Sequence, residues 1–202
     1  MDEQALVKDA LKGDLEAFNR LVLAYQDMAF NLAYRMLDDD SAAEDATQKA
    51  FLAAYRGLKS YRGGSFRSWV LKMVTNACYD ELRRRKRHPT TPLEPETDDD
   101  EVIESPRWLA DDGPTPEESV ERAELETAIK NCLGDLPEDF RAIVVLVDVE
   151  GLDYEQTASI THNPLGTIKS RLARARQRLR KCLDGYWELL PSIFRLNHEG
   201  AA

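Results

Sequence analysis

The sequence predicts an all-α protein made of two small helical domains joined by an acidic, proline-rich connector. Three observations carry this. Apolar residues recur at helical spacing on both sides of the chain's middle. Caps, glycines and prolines fall where those stretches begin and end. The residues between them combine a proline density and a run of like charges that favour extended, solvated chain over a packed element. At 202 residues and 43% hydrophobic, the chain can bury one core or two small ones.

Residues 2–87 read as helices throughout, with Leu6, Ala10, Phe18, Leu21, Val22 and Tyr25 on one periodic face. Ser41-Ala-Ala-Glu44 reads as a capping box that opens a helix to about Leu58. The paired glycines of "SYRGGS" (60–65) break the pattern, and a further helix runs from Phe66 to about Arg85. Val70, Met73, Val74, Ala77 and Cys78 form its apolar side, and Lys72, Thr75, Asn76, Tyr79 and Arg83 the other. Such a polar face suits phosphates, base edges and stacking on an unpaired base, although a plain solvated surface has the same composition.

Residues 89–120 set Arg107 against 11 acidic side chains and carry prolines at 89, 92, 95, 106, 114 and 116. They read as a flexible tether. A second reading docks their acidic stretch and an island of Val102, Ile103, Trp108 and Leu109 in a basic channel of a partner. Beyond the connector, Val120 to Leu133 is a helix, and Pro137 fits the first turn of the next, which ends before Gly151. The apolar run "AIVVLVDV" (142–149) reads as buried helix. Asp153-Tyr-Glu-Gln156 is another capping box. Asn163 caps the last long helix, with Pro164 in its first turn. Residues 121–184 thus form the second domain. The tail 185–202, apolar at Trp187, Leu189, Leu190, Ile193 and Phe194, is expected to pack back on it.

The formal net charge of -10 describes the connector. Residues 1–88 hold 15 basic and 13 acidic side chains, and residues 121–202 hold 11 and 13. From Gly166 to Lys181 there are seven Lys or Arg and no acid. On a helical wheel Ile168, Leu172, Ala175, Leu179, Cys182 and Leu183 make one stripe. Ser170, Ala173, Arg174, Gln177 and Lys181 lie opposite, with Lys169, Arg171, Arg176, Arg178 and Arg180 on the flanks. A short helix (154–160), a corner (161–163) and a longer basic helix make a helix-turn-helix, whose second helix enters the DNA major groove.

Other classes fit poorly. There is no P-loop, GxSxG or HExxH, and His88, His162 and His198 are scattered, so no enzyme, metal or cofactor is expected. Cys78, Cys132 and Cys182 stand far apart with no CxxC, which predicts buried, reduced thiols. No signal-peptide pattern or long apolar run occurs, which predicts a cytoplasmic protein without membrane insertion. A regulator that binds an operator alone explains the basic helix but not the segments "FRSWVLKMVTNACYDELRRR" and "AEDATQKAF", and an adaptor that touches no DNA leaves the seven cations unexplained.

The residues also carry a resemblance. "LPEDFRAIVVLVDVEGLDYEQTASITHNPLGTIKSRLARARQRLRK" resembles region 4 of bacterial extracytoplasmic-function (ECF) sigma factors, through Leu136-Pro137, Glu150-Gly151-Leu152, Tyr154-Glu155, Pro164, Gly166 to Leu172 and Arg174-Ala175-Arg176. Thr157 and Thr161 replace aliphatics, and His162 stands where glycine is usual, at a corner that commonly needs positive φ. "FRSWVLKMVTNACYDELRRR" resembles region 2 at Phe66, Arg67, Trp69, Asn76, Asp80, Leu82, Arg83 and Arg84. "AEDATQKAFLAAY" resembles that region's polymerase-binding segment at Asp45, Gln48 and Phe51, with Lys49 in place of a glutamate. The resemblance implies a monomeric transcription initiation factor that binds core RNA polymerase and promoter DNA and is controlled by an anti-sigma factor. It assigns residues 1–88 to core binding and to the −10 element through Arg62, Ser65, Lys72, Asn76, Tyr79, Asp80, Arg83 and Arg84. It assigns residues 121–184 to the −35 element through Thr167, Lys169, Ser170, Arg171, Ala173, Arg174, Arg176 and Gln177.

Overall fold

The computed structural model describes residues 2–87 and 116–189, the second stretch with side chains from residue 123 onward. Among these residues every regular element is helical. Aspartate opens each of the first three helices, because its short side chain reaches an otherwise unpaired N–H of the first turn. Asp2, Asp14 and Asp39 accept from Ala5, Ala17 and Ala42 at 3.1, 3.1 and 2.7 Å. They begin α1 (Glu3–Leu11), α2 (Leu15–Leu37) and α3 (Asp40–Gly57). The third start lies ahead of the expected Ser41–Glu44 box: Asp39 is extended (φ -162, ψ 120) and takes the cap, leaving Ser41 inside the helix. A 3-10 turn, Leu58–Ser60, leads to the loop before α4 (Phe66–Arg87).

Buried alanines at 43, 46, 50 and 54 give α3 a thin inner face. Helices α2 and α4 therefore approach it closely and fill the centre with Leu21, Leu32, Met36, Phe66, Val70, Leu71 and Val74. Thr75 is a correction: it is fully buried and donates to Leu71 O at 2.8 Å, so it belongs to the core and not to the polar face. Cys78 is buried and free as expected, its thiol pushed up to about 12 by burial.

The second domain holds α5 (Pro116–Gly134), α6 (Glu138–Val144), a π turn (Val145–Val149), α7 (Tyr154–Thr161), α8 (Leu165–Leu183) and a 3-10 turn (Asp184–Leu189). Helix α5 takes in residues 116–120, which the sequence reading gave to the connector. The rest of the connector, with its apolar island, and residues 190–202 lie outside the described residues. The run from Ala142 to Leu146 is buried helix as expected, but it widens. Glu150 N–H reaches Val145 O at 2.9 Å and Leu152 N–H reaches Leu146 O at 3.0 Å. The final 3-10 turn lies along α5 and α8, while Trp187 stays 53% exposed.

Two cysteines overturn the expectation of reduced thiols. Cys132, in the last turn of α5, and Cys182, in the last turn of α8, form a disulfide with Cα atoms 5.7 Å apart. Their separation of 50 residues conceals that the bundle returns α8 beside α5.

The core continues from one domain into the other, through α2 and α4 on one side and α5, α6 and α7 on the other. Closing a loop of this size restricts the unfolded chain, worth about 3–4 kcal/mol. Cys182→Ser should therefore lower the second domain's unfolding free energy by about that amount in urea titrations without reductant. An unchanged midpoint would refute the bond's stabilising role.

Candidate nucleic-acid and polymerase interfaces

The helix-turn-helix is built from local chemistry. Asp153 and Gln156 close a reciprocal capping box at 2.7 and 3.2 Å, starting α7. Thr157 and Thr161 are buried, and their hydroxyls donate to Asp153 O (2.9 Å) and Thr157 O (2.8 Å). The polar atoms are thus satisfied within the helix, and α7 seats without an aliphatic pair. His162 adopts the left-handed conformation (φ 54, ψ 35) that the corner requires, and its N–H returns to Ala158 O. Asn163 does not cap α8. Its amide donates to Thr161 O at 2.9 Å and its oxygen accepts from Arg171 at 3.3 Å, and Pro164 takes the cap position.

Ile168, Leu172 and Ala175 anchor α8 in the core, which leaves Lys169, Ser170, Ala173, Arg174 and Gln177 exposed, with Thr167 half-buried at the first turn. Ser170 donates to Thr167 O at 3.1 Å. Two of the flanking arginines expected at the −35 element already have acidic partners. Arg171 meets Asp139 at 2.8 Å, and Arg176 grips Asp148 with two bonds, 2.5 and 3.0 Å. Arg178 lies over the Phe140 ring at 5.2 Å. Arg174 is exposed and stands at the centre of that face.

In the first domain, Gly63 (φ 90) and Gly64 (φ 93) shape the loop that carries Arg62 and Ser65. Tyr61 donates to Gly64 O at 2.7 Å, and Ser65 Oγ accepts from Ser68 N–H at 3.1 Å to start α4. The polar set expected on α4 divides between two edges. Asn76, Asp80 and Arg84 line a groove of about 420 Å³ against α3, floored by Ala42, Ala46, Ala50 and Met73 and shared with Lys49. Tyr79 turns toward the second domain. Its hydroxyl is pushed up to about 12, first by burial and then by Asp139, against the opposing charge of Arg171. Lys72 is half-buried and Arg83 is exposed, paired with Asp80 at 2.6 Å.

Asp45 and Gln48 are exposed on α3, while Phe51 packs against the core. Lys49 meets Asp45 at 3.5 Å. The reading missed Leu52 and Tyr55, which are 55% and 48% exposed one and two turns beyond Gln48. The signal was present: spacing of i, i+3, i+7 and i+10 from Asp45 puts all four on one stripe.

Two family models match the chain, Sigma-70 region 2 over residues 21–88 and Sigma-70 region 4 over residues 126–179. The chain is 36% identical over 187 residues to the RNA polymerase sigma-H factor of Pseudomonas aeruginosa, covering 90% of this chain and 94% of that one. It is 34% identical to the ECF sigma factor SigW of Bacillus subtilis, covering 88% and 94%. The chain belongs to the ECF sigma factors. It is a promoter-directing transcription initiation factor of RNA polymerase. Among solved structures, the Bartonella quintana sigma factor RpoE, in complex with the anti-sigma factor NepR, is 27% identical at a TM-score of 0.61, covering 83% of this chain and 96% of that one. CnrH, solved with the cytosolic domain of CnrY, shares the fold at a TM-score of 0.62 and 22% identity, covering 91% and 97%. No helix among the described residues is long and apolar enough to cross a membrane.

The groove's basic rim is tied down by Glu81. Arg84 forks onto this carboxylate at 2.7 and 2.8 Å, and Arg85 adds a bond at 3.2 Å. Arg84's hydrogen bonds, above all, hold Glu81 down to about 2 against the opposing effect of burial. A lowered carboxyl pKa contributes stability that is complete above the unfolded value, about 4.3, and is lost as pH falls through the folded one. Glu81→Gln should therefore flatten the acid limb of the stability curve between pH ~4.5 and ~2 and cost about 1–2 kcal/mol at pH 7. Superimposable acid limbs would overturn the assignment.

Proposed function

We propose that the factor works in the cytoplasm as a non-enzymatic subunit, joining core polymerase through Asp45, Gln48, Leu52 and Tyr55 on α3. In this reading region 4 reads the −35 element with Ser170, Ala173, Arg174 and Gln177, and Lys169 and Thr167 meet the phosphate backbone. Region 2 takes the −10 element with Arg62, Ser65, Lys72, Asn76, Tyr79, Asp80, Arg83 and Arg84. The observation that carries the reading is the exposed face of α8: a polar and cationic surface, held outward by a buried Ile168, Leu172 and Ala175, directly after a helix-turn-helix corner. DNA affinity needs local cation density, because neutralised phosphates release counterions. The likeness to the Bartonella quintana factor supports an anti-sigma partner that binds this chain one to one.

Arg174 and Arg176 separate base reading from phosphate contact. Arg174→Ala should relax preference at one −35 position, costing about 1–3 kcal/mol there. Asp148→Asn should release Arg176 from its carboxylate, raise affinity for all sequences alike and steepen the salt dependence by about one phosphate contact. Both are measured by binding isotherms on a panel of altered −35 duplexes at several salt concentrations. Identical profiles for the two variants would reject the assigned faces.

Asp45→Ala with Gln48→Ala tests the polymerase contact. The folded double variant should bind core polymerase at least ten-fold more weakly in a competition assay. Wild-type affinity would remove α3 from the interface.

A further inference from the structure

The loop between the 3-10 turn and α4 is tied at both ends. Tyr61 leaves the turn with its N–H on Leu58 O at 3.0 Å and its backbone extended (φ -63, ψ 122). At the far end Ser65 joins the first turn of α4, where its carbonyl and hydroxyl oxygens accept from Trp69 and Ser68 N–H, each at 3.1 Å. Between these ends stand Gly63 and Gly64, with φ of 90 and 93. A Cβ on either would meet nothing within 4 Å, so backbone conformation and not crowding calls for glycine, and the loop is open on its outer side. Arg62, Gly63, Gly64 and Ser65 are all exposed.

Adjacent glycines lose more conformational freedom on ordering than other residues, so such a loop does not keep one shape unaided. Among the described residues, the side-chain bond to its middle comes from Tyr61, whose hydroxyl donates to Gly64 O at 2.7 Å. The phenol ring is itself fixed by aromatic packing. It stands edge-on to Phe66, with centroids 5.8 Å apart at 77°, and lies 5.4 Å from Trp69. Phe66 is 1% exposed and also meets Tyr25, 5.8 Å away. Burial, and then Glu3, push the pKa of Tyr61 up, which keeps its hydroxyl a donor at neutral pH. The hydroxyl is thus a strut from the core to the part of the loop that neither end secures.

We propose that Tyr61 is a positioning residue for −10 selection: by bracing Gly64, its hydroxyl holds the Arg62–Ser65 loop in the form that selects one unpaired base on the loop's open side. The inference rests on the −10 reading proposed above. An extruded base is chosen by groups that reach its edge, and glycine lets backbone come that close. Arg62 and Ser65 flank the glycines and add a guanidinium and a hydroxyl. Discrimination is the difference between a base edge that is fully paired and one left unpaired, so it needs donors and acceptors at fixed spacing. A loop free to adjust re-forms around several bases and separates them poorly. Tyr61 needs no contact with DNA for this, because it acts through Gly64. A hydrogen bond of this kind is worth roughly two- to twelve-fold in an equilibrium, which sets the size of the effect.

Tyr61→Phe keeps the ring and removes the strut. The full-length variant is assembled with core polymerase, and its affinity is measured for single-stranded −10 oligonucleotides carrying each of the four bases at each position. Its circular dichroism should match the wild type, and its affinity for core polymerase should stay within about two-fold. Affinity for the preferred oligonucleotide should fall about three- to ten-fold, with discrimination shrinking at one position while the others keep theirs. A general loosening of region 2 would instead weaken every base alike. A double-mutant cycle locates the action: Gly64→Ala sets a side chain at a φ of 93 and disturbs the same loop. Adding Tyr61→Phe to that background should cost less than about two-fold more, because residues that act as one unit do not add. Wild-type affinity and discrimination in Tyr61→Phe, an equal loss for every base at every position, or losses that multiply in the cycle would each overturn the role of the hydroxyl. If the wild-type holoenzyme binds the −10 oligonucleotides no better than scrambled ones, the −10 reading itself falls.

Discussion

One guanidinium joins the parts of this protein that otherwise end in open backbone. Arg141 of α6 donates to Met36 O at the end of α2, and to Gly134 O and Leu136 O at the end of α5. The last carbonyls of a helix have no partner within it and carry the negative end of its dipole, so a cation there is favoured. Here a single side chain closes two helices that belong to different domains. Burial lowers the pKa of Arg141, with Asp38, Glu138 and Asp135 acting the other way, and the charge is accepted because carbonyls surround it. On α2 the neighbouring carbonyl, Leu37 O, is taken by Arg85 from region 2 itself at 3.1 Å. The helix end is therefore shared between an internal ligand and one that arrives with region 4.

Charge is allotted in the same spirit along α8. Arg171 and Arg176 are held by acids from α6 and the π turn that follows it, and Arg178 is drawn onto an aromatic ring. These contacts orient the helix on its bundle. They also narrow the cationic surface to the centre of the exposed face, where Arg174 stands. A helix with every cation free would hold any duplex. One with its flanks partly neutralised gives a larger share of its affinity to base edges.

The features legible in the sequence are those written within a few residues. The capping box at Asp153–Gln156, the positive φ of His162 and the apolar stripe of α8 all depend on near neighbours, and the structure has them as read. Where several local signals competed, the reading slipped. Three aspartates precede Ser41, and backbone conformation chose Asp39 among them. Features that depend on distant segments left no mark. The Cys132–Cys182 bond, the Arg67–Glu150 pair and the covering of Tyr79 each need helices far apart in sequence to meet. Thr75 was misassigned for a related reason: a hydroxyl that bonds its own helix is free to sit in a core, and composition alone does not reveal it.

The π turn at Val145–Val149 has a consequence for how this chain tolerates change. Its wide ring, closed from Glu150 N–H to Val145 O, holds one residue more than an α turn would, and everything after it is rotated accordingly. Removing that residue would restore ordinary winding and swing Glu150, Gly151 and the start of α7 by about 100° around the axis. Any apolar residue of similar size can replace a valine here with modest effect. The segment is thus free to drift in spelling while its length is fixed, and among related chains gaps should be absent from residues 145–149 even where the letters differ.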